Sequence, residues 1–335
     1  MILVVSGATG GHLYPGLAIT AAMAKPSLFI VSRQHPAQRI LAAHQQPFKV
    51  MSLTPLNAIA FPFKVMTLII QQKPKVIFLM GGFICVPFAI MGWLCRIPMV
   101  SFEQNTIPGR ATRLVQFFAG AIITTFESTK NRLSCQRKVH CLGNPLRVTK
   151  QGEPLPDDIK KLTGKTLLII GGSQGAAALN RFIDSNKAAI LEGGMNIIHL
   201  TGDRYFKNKS TQKIVTYSNG NTYVALPYMN NMAEIYKKAT HVICRSGATT
   251  LSELLVYGQP SMLVPFPFSK DDHQIQNACE FIQMVPNARL VLESDLNLNS
   301  FLNWVKSSEF NQPCNRIDPQ GVNNSICEFI QSYLK

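Results

Sequence analysis

The sequence predicts an α/β protein of two doubly wound, Rossmann-like domains facing one another across a cleft, and three observations lead there. Short Val- and Ile-rich runs alternate with helical patterns along all 335 residues, the pattern of parallel sheets joined by crossover helices. Each half opens with the same device, an apolar strand running into a glycine-rich turn and a helix: "ILVVSGATGGH" at 2–12 and "LLIIGGSQGAA" at 167–177. Charge is also partitioned. Residues 1–150 hold 16 Lys or Arg against only Glu103 and Glu127, whereas residues 151–335 hold 17 basic and 16 acidic side chains.

The strands can be taken in order. "ILVVS", "SLFIVS", "KVIFLM", "IPMVSF" and "AIITTF" serve the first half; "TLLIIGG", "NIIHLTG", "TYVAL", "HVICRS" and "PSMLVPF" serve the second. The polar, proline-containing stretch "KQGEPLPDDIKKLTGK" falls where the charge balance changes and predicts a linker over about 151–164. That gives domains at 1–150 and 165–317. The tail 318–335 has Ile326, Phe329 and Ile330 at helical spacing and could close either one. Residues 76–95 carry no charge over a length that could span a membrane. Gly81-Gly82 and Pro87 interrupt them, so the reading is a buried strand, a turn and a helix.

Composition narrows the class. At 46% hydrophobic and 15% charged the chain is globular. Eight cysteines without a C-x-x-C pair, and no leader-like segment, predict reduced thiols and no structural zinc. A first half this basic should attract an anion: an acidic membrane face or a phosphorylated substrate. No nucleic-acid-binding module is present.

The opening turn is a phosphate cradle of an unusual kind, because a strand, a tight turn and a helix N-terminus converge backbone N–H groups on an anion. No Lys-Ser or Lys-Thr pair follows it, and Leu13 stands where a dinucleotide fingerprint needs its third glycine. A third such turn, Ser246-Gly247, leads into "ATTLSELLVYG". Glu253, two turns into that helix, could accept from two vicinal hydroxyls, as an acid does on a ribose. Asp271, Asp272, His273, Gln274 and Asn277 cluster at another helix start, a density of donors and acceptors suited to a sugar.

These stretches together resemble the MurG family of bacterial N-acetylglucosaminyltransferases. The matching motifs are "GATGGHLYPGLA", "EQN" at 103–105, "GNPLR" at 143–147, "GGSQGAAALN" at 171–180, "CRSGATTLSE" at 244–253 and "DDHQIQNA" at 271–278. The resemblance implies the GT-B architecture, with the tail helix 318–335 returning to the first domain. It implies a donor, UDP-N-acetylglucosamine, whose diphosphate meets Ser173 and the helix starting at Ala248, with Gln174, Thr249, Thr250, Leu251 and Ser252 also among the substrate-binding residues. Glu253 would take the ribose, Met229 the uracil through its backbone, and Gln274 the sugar hydroxyls, with His273 and Asn277 also among the substrate-binding residues. From the first domain Thr9, Gly10, Gly11 and Asn105 would close over the sugar, and Arg147 would complete the donor site. The implied acceptor is the undecaprenyl-linked precursor lipid I, the product lipid II for peptidoglycan, and the location peripheral, on the cytoplasmic face of the bacterial inner membrane. Other cell-wall synthesis and division proteins are implied as partners. No cofactor is required on this reading, with Mg²⁺ at most stimulatory.

Inversion at C1 needs a base for the acceptor hydroxyl. With no carboxylate before Glu103, a base from the opening turn can only be His12, whose unperturbed pKa near ~6.5 suits neutral pH; Glu103 is the second candidate. "LNAIAFPFKVMTLIIQQKPK" at 56–75 combines Phe61, Phe63, Val65, Met66, Leu68 and Ile69 with Lys64, Lys73 and Lys75, an amphipathic surface for an anionic membrane. The chain departs from the family at Ala8, usually glycine, in a shortened "SLTPLNAIAFPF" loop and in "FICVP" at 83–87, all but the first on the acceptor side. Alternatives are a UDP-N-acetylglucosamine 2-epimerase, a diacylglycerol glucosyltransferase and a non-catalytic membrane-binding descendant. A short-chain dehydrogenase would need its Tyr205/Lys209 pair far closer to the opening turn.

Overall fold

A computed structural model describes residues 1–7, 10–32, 35–146, 154–172, 174–202, 213–227, 229, 232–308 and 317–334. The chain divides into two compact units, 1–148 with 318–335, and 149–317.

In the first unit seven strands form one parallel sheet: β1 (Ile2–Ser6), β2 (Ser27–Val31), β3 (Phe48–Val50), β4 (Val76–Leu79), β5 (Met99–Glu103), β6 (Ala121–Thr124) and β7 (Val139–Cys141). Their order is β3-β2-β1-β4-β5-β6-β7. The chain therefore winds outward from β1 in one direction, returns to β4 and winds out in the other, so β1 and β4 flank the topological switch point. Every residue of β1 and β4 is buried. This explains why the sequence reads as unbroken apolar runs: a parallel strand covered on both faces has no polar side. Helices α1 (Gly10–Met23), α2 (His35–Ala43), α3 (Phe61–Gln72), α4 (Cys85–Leu94) and α5 (Arg110–Val115) connect the strands. Residues 76–95 are thus strand, glycine turn and helix, and among the described residues no helix is long and apolar enough to cross a membrane.

The second unit repeats the plan. Strands β8 (Thr166–Ile170), β9 (Asn196–Leu200), β10 (Lys213–Thr216), β11 (Thr222–Leu226), β12 (His241–Cys244), β13 (Ser261–Leu263) and β14 (Ala288–Leu290) lie in the order β10-β11-β9-β8-β12-β13-β14. Among the described residues only the β10–β11 pair is antiparallel. Here β8 and β12 flank the switch point. Helices α6 (Asp157–Lys160), α7 (Ala177–Glu192), α8 (Met232–Lys238), α9 (Ala248–Tyr257), α10 (His273–Met284) and α11 (Leu298–Ser308) complete the unit.

Two segments sit differently from the expectation. Of the stretch expected as a linker, residues 154–164 belong to the second unit, because Leu155, Ile159 and Leu162 are buried in it. The apolar set at 56–75 divides. Phe61, Val65, Leu68 and Ile69 are core, while Leu56, Ile59, Phe63 and Ile70 are exposed beside Lys64, Lys73 and Lys75. The tail helix α12 (Pro319–Tyr333) starts on an Asp318 cap that accepts from the Gln320 and Gly321 N–H groups. It lays Ile326, Cys327 and Ile330 into the first unit's core beside α1. Asn323 clasps Leu146, its Oδ1 accepting from Leu146 N at 3.1 Å and its Nδ2 donating to Leu146 O at 2.6 Å.

Candidate active site

In an open parallel sheet, ligands bind beyond the carboxyl ends of the strands at the switch point. In the first unit that place is formed by Gly7 after β1 and Gly81-Gly82 after β4, joined by a Gly7 N–H to Gly81 O bond of 2.8 Å. His12, in the first turn of α1, lies on both. A Cβ at Gly7 would stand 2.9 Å from its Nδ1, and one at Gly81 would stand 3.0 Å from its Nε2. Gly81 also has φ +113°, a conformation that side-chain-bearing residues avoid. The glycines therefore make the imidazole's berth. Gly10 and Gly11 open the same helix, with Gly11 exposed.

At the end of β5, Glu103 is 5% exposed and both its oxygens are engaged. Oε1 accepts from Asn105 N at 3.1 Å and Asn105 Nδ2 at 3.4 Å, and Oε2 from Gly109 N at 2.9 Å and the Thr112 hydroxyl at 2.6 Å. A Thr129 hydroxyl bond to Asn105 O, 3.1 Å, fixes the same residue from the other side. Glu103 thus orders the Asn105 turn, a structural duty for a residue expected as a possible base.

In the second unit the switch point is lined by the turn after β8 and by Arg245-Ser246-Gly247 after β12. Gly247 precedes α9, and Leu251 N is bonded to Gly247 O, so the N–H groups of Ala248, Thr249 and Thr250 have no partner within the helix. Those amides, with the helix dipole, suit a diphosphate. Leu251 and Ser252 are placed otherwise than expected: Leu251 is wholly buried, and the Ser252 hydroxyl donates to Ala248 O at 2.8 Å. Asn277 is likewise fully buried. Its Nδ2 donates to Ser246 O at 3.2 Å, so it braces the turn.

Gln274 is half-buried, accepting from Phe266 N at 2.9 Å while its carbonyl accepts from the Ser246 hydroxyl at 2.7 Å. His273 Nδ1 lies 2.8 Å from Lys270 O. Met229, buried, precedes α8, and Gln174 is exposed in the turn after β8. Thr9, Arg147 and Ser173 lie outside the described residues.

Three groups here escaped the sequence reading. Arg245 is pinned under the turn, its guanidinium donating to the Val264 and Pro265 carbonyls and to Glu293 at 2.6 Å. Tyr236 reaches Glu253, its hydroxyl 3.0 Å from Oε2. A buried chain fixes the start of α7. Asn180 Nδ2 donates to Thr201 O at 3.0 Å, which leaves its Oδ1 to accept from His199 Nε2 at 2.9 Å and sets Tyr223 OH to donate to His199 Nδ1 at 3.1 Å. Each partner is distant in sequence, so no spacing announces them.

Burial lowers the His199 pKa to about 4. The unfolded chain therefore binds a proton near ~6.5 that the folded one refuses until about 4. The neutral histidine's contribution is full above that upper value and is lost as pH falls through the window. Urea titrations at pH 7 and pH 4.5 should show the second unit weaker at the lower pH by on the order of 2–3 kcal/mol from this group. A His199→Leu variant that keeps the whole pH dependence would refute the attribution.

The glycosyltransferase family 28 N-terminal domain matches residues 2–124, and the C-terminal domain of that family matches residues 166–315. A UDP-N-acetylglucosamine–N-acetylmuramyl-(pentapeptide) pyrophosphoryl-undecaprenol N-acetylglucosamine transferase of Synechococcus elongatus is 31% identical over 314 residues, 87% of this chain and 84% of that protein. The chain belongs to the MurG family. A solved MurG from Acinetobacter baumannii shares the fold, with a TM-score of 0.70, 21% identity and 99% of both chains covered. The MurG fold is also that of the UDP-N-acetylglucosamine 2-epimerase from Neisseria meningitidis, solved with UDP-N-acetylglucosamine, at a TM-score of 0.64, 13% identity and 99% coverage of each. That second likeness concerns fold alone.

Proposed function

We propose that this chain is an inverting hexosyltransferase that moves N-acetylglucosamine from UDP-N-acetylglucosamine to the C4 hydroxyl of the N-acetylmuramyl unit of lipid I, forming lipid II. The observation that carries the reading is the 31% identity over most of the chain to a relative of that name. The two switch points supply chemistry that fits it. The acceptor oxygen attacks C1 of the donor sugar, the bond from C1 to the diphosphate oxygen breaks with inversion, and UDP leaves. His12 receives the acceptor proton as the new bond forms. The N–H groups of Ala248, Thr249 and Thr250 face the diphosphate with no reorganisation needed as its charge grows. Glu253 holds the ribose diol, Gln274 reads the sugar, and Met229 offers its backbone to uracil. Asn105, assigned to the sugar, sits on a turn that Glu103 orders, and that duty favours His12 over Glu103 as the base. No step in this scheme calls for a cofactor.

Supplying UDP-N-acetylglucosamine with a short-chain lipid I analogue tests the proposal. The expected result is UDP release that depends on the analogue, with a disaccharide product. UDP-N-acetylmannosamine as the product, or turnover indifferent to the acceptor, would overturn it.

The lipid acceptor calls for a membrane-seated enzyme, and the first unit has a surface for it. On α3, α4 and α5, which pack side by side, Phe63, Ile70, Trp93, Leu94 and Leu114 are exposed, with Leu56 and Ile59 just ahead of α3. Lys64, Lys73, Arg96, Arg110 and Arg113 are exposed on or beside the same helices. Apolar side chains entering an interface, ringed by cations worth about 1 kcal/mol each near anionic lipid, make a peripheral anchor. Cosedimentation should show binding to phosphatidylglycerol-containing vesicles that weakens several-fold between 50 and 500 mM salt (~10-fold in ionic strength). Replacing Phe63 and Trp93 with serine should weaken it too. Equal binding to neutral vesicles would contradict this account.

A further inference from the structure

We infer that Tyr236 is a positioning residue for ribose recognition: it fixes the Glu253 carboxylate in the orientation that tells a ribonucleotide donor from its 2′-deoxy counterpart. The inference rests on the proposed role of Glu253 at the ribose diol and deepens it.

Glu253 sits six residues into α9, on a side chain with three rotatable bonds. A carboxylate that must accept from two vicinal hydroxyls needs its plane set before the donor arrives, because every rotamer frozen on binding weakens affinity. Tyr236 supplies that restraint. Its hydroxyl donates to Glu253 Oε2 at 3.0 Å, while the residue itself is 0% exposed and so cannot touch the donor. The phenol is held in turn at three points. Its ring stacks on Tyr257, with centroids 4.8 Å apart and planes 10° from parallel. Its carbonyl accepts from Gln259 Nε2 at 2.6 Å. Its helix, α8, carries Ile235 and Tyr236 into the core. Tyr257 lies one turn beyond Glu253 on α9, and Gln259 follows the left-handed Gly258 that ends that helix. The far end of α9 is therefore clamped to α8 by the residues that also hold the tyrosine.

Burial and the neighbouring carboxylate push the Tyr236 pKa well above that of an ordinary phenol, so the hydroxyl keeps its proton and remains a donor throughout the working pH range. The same short helix follows Met229, the residue assigned to uracil. Base and sugar recognition thus lie close together in the chain, through a residue three positions ahead of α8 and one in its second turn.

The test compares kcat/KM for UDP-N-acetylglucosamine and its 2′-deoxyuridine analogue in four proteins: the unaltered chain, Tyr236→Phe, Glu253→Ala and the double variant. Tyr236→Phe removes one oxygen and no ring volume. It should raise KM for the ribonucleotide donor about threefold to tenfold and compress the ribo-to-deoxy ratio by a similar factor. In the Glu253→Ala background the same change should leave the ratio where Glu253→Ala alone puts it. A purely structural tyrosine would weaken both donors equally and leave the ratio untouched, and that outcome overturns the inference while the ribose role of Glu253 stands. If Glu253→Ala itself preserves the ratio, the ribose role fails and the inference falls with it. Calorimetric affinities for UDP and 2′-deoxy-UDP give the same comparison without turnover, so a variant impaired in catalysis still decides the question.

Discussion

His12→Ala is expected to lower turnover by about 10²- to 10⁴-fold while UDP-N-acetylglucosamine binds within a few-fold of its original affinity. The size follows from the role: a positioned base contributes that much when the attacking hydroxyl must lose its proton in the transition state. The separation between turnover and binding follows from where the residue sits. His12 belongs to the first unit's switch point, whereas the groups assigned to uracil, ribose and diphosphate are in the second unit. The measurement is kcat for the lipid I analogue beside calorimetric affinity for the donor. Near-normal turnover, or a loss confined to donor affinity, would remove His12 from the chemistry.

The second large effect is on stability. Gly175 has φ +78°, and a Cβ there would overlap the Thr201 carbonyl oxygen. Gly175→Ala should therefore destabilise the second unit by about 2–4 kcal/mol, from a strained backbone plus a clash that only main chain can relieve. The variant should also bind UDP weakly, because the turn after β8 must move. Gly172→Ala is the instructive partner. Its φ is also positive, at +82°, but nothing stands within 4 Å of the added carbon, so it should show the conformational penalty alone, about 1 kcal/mol. Urea denaturation of the two variants separates strain from collision; equal midpoints would show that the close approach to Thr201 is unimportant.

How far the sequence announces this molecule depends on which interactions are local. The central strands are legible because burial on both faces forces continuous apolar runs. The strands it does not announce, β3, β7, β10 and β14, are the four sheet edges. "FKV", "VHC", "KIVT" and "ARL" each pair on one side only and carry polar or charged residues. The glycine turns are legible as turns, but not the reason for Gly81, which is an imidazole from a helix some seventy residues earlier.

The same limit explains the sites. "SGATTLSE" shows a helix N-terminus and an acid, yet the spacing cannot tell that Leu251 points inward or that Ser252 bonds back to its own helix. Nor can spacing tell that Asn277, beside Gln274, braces the carbonyl of Ser246. Tyr236, His199 and Asn180 give no signal at all, since their partners come from other elements.

The return of α12 to the first unit bears on how a ribosome can deliver this protein. Residues 1–148 emerge early, but the helix that seals their core is made only after the roughly 170 residues of the second unit, a delay on the order of 10–30 s at about 5–20 residues per second. Throughout that interval the earlier-made segment exposes the apolar bed of Ile326 and Ile330. The nascent N-terminal half is thus the natural client of a chaperone while the rest of the chain is made.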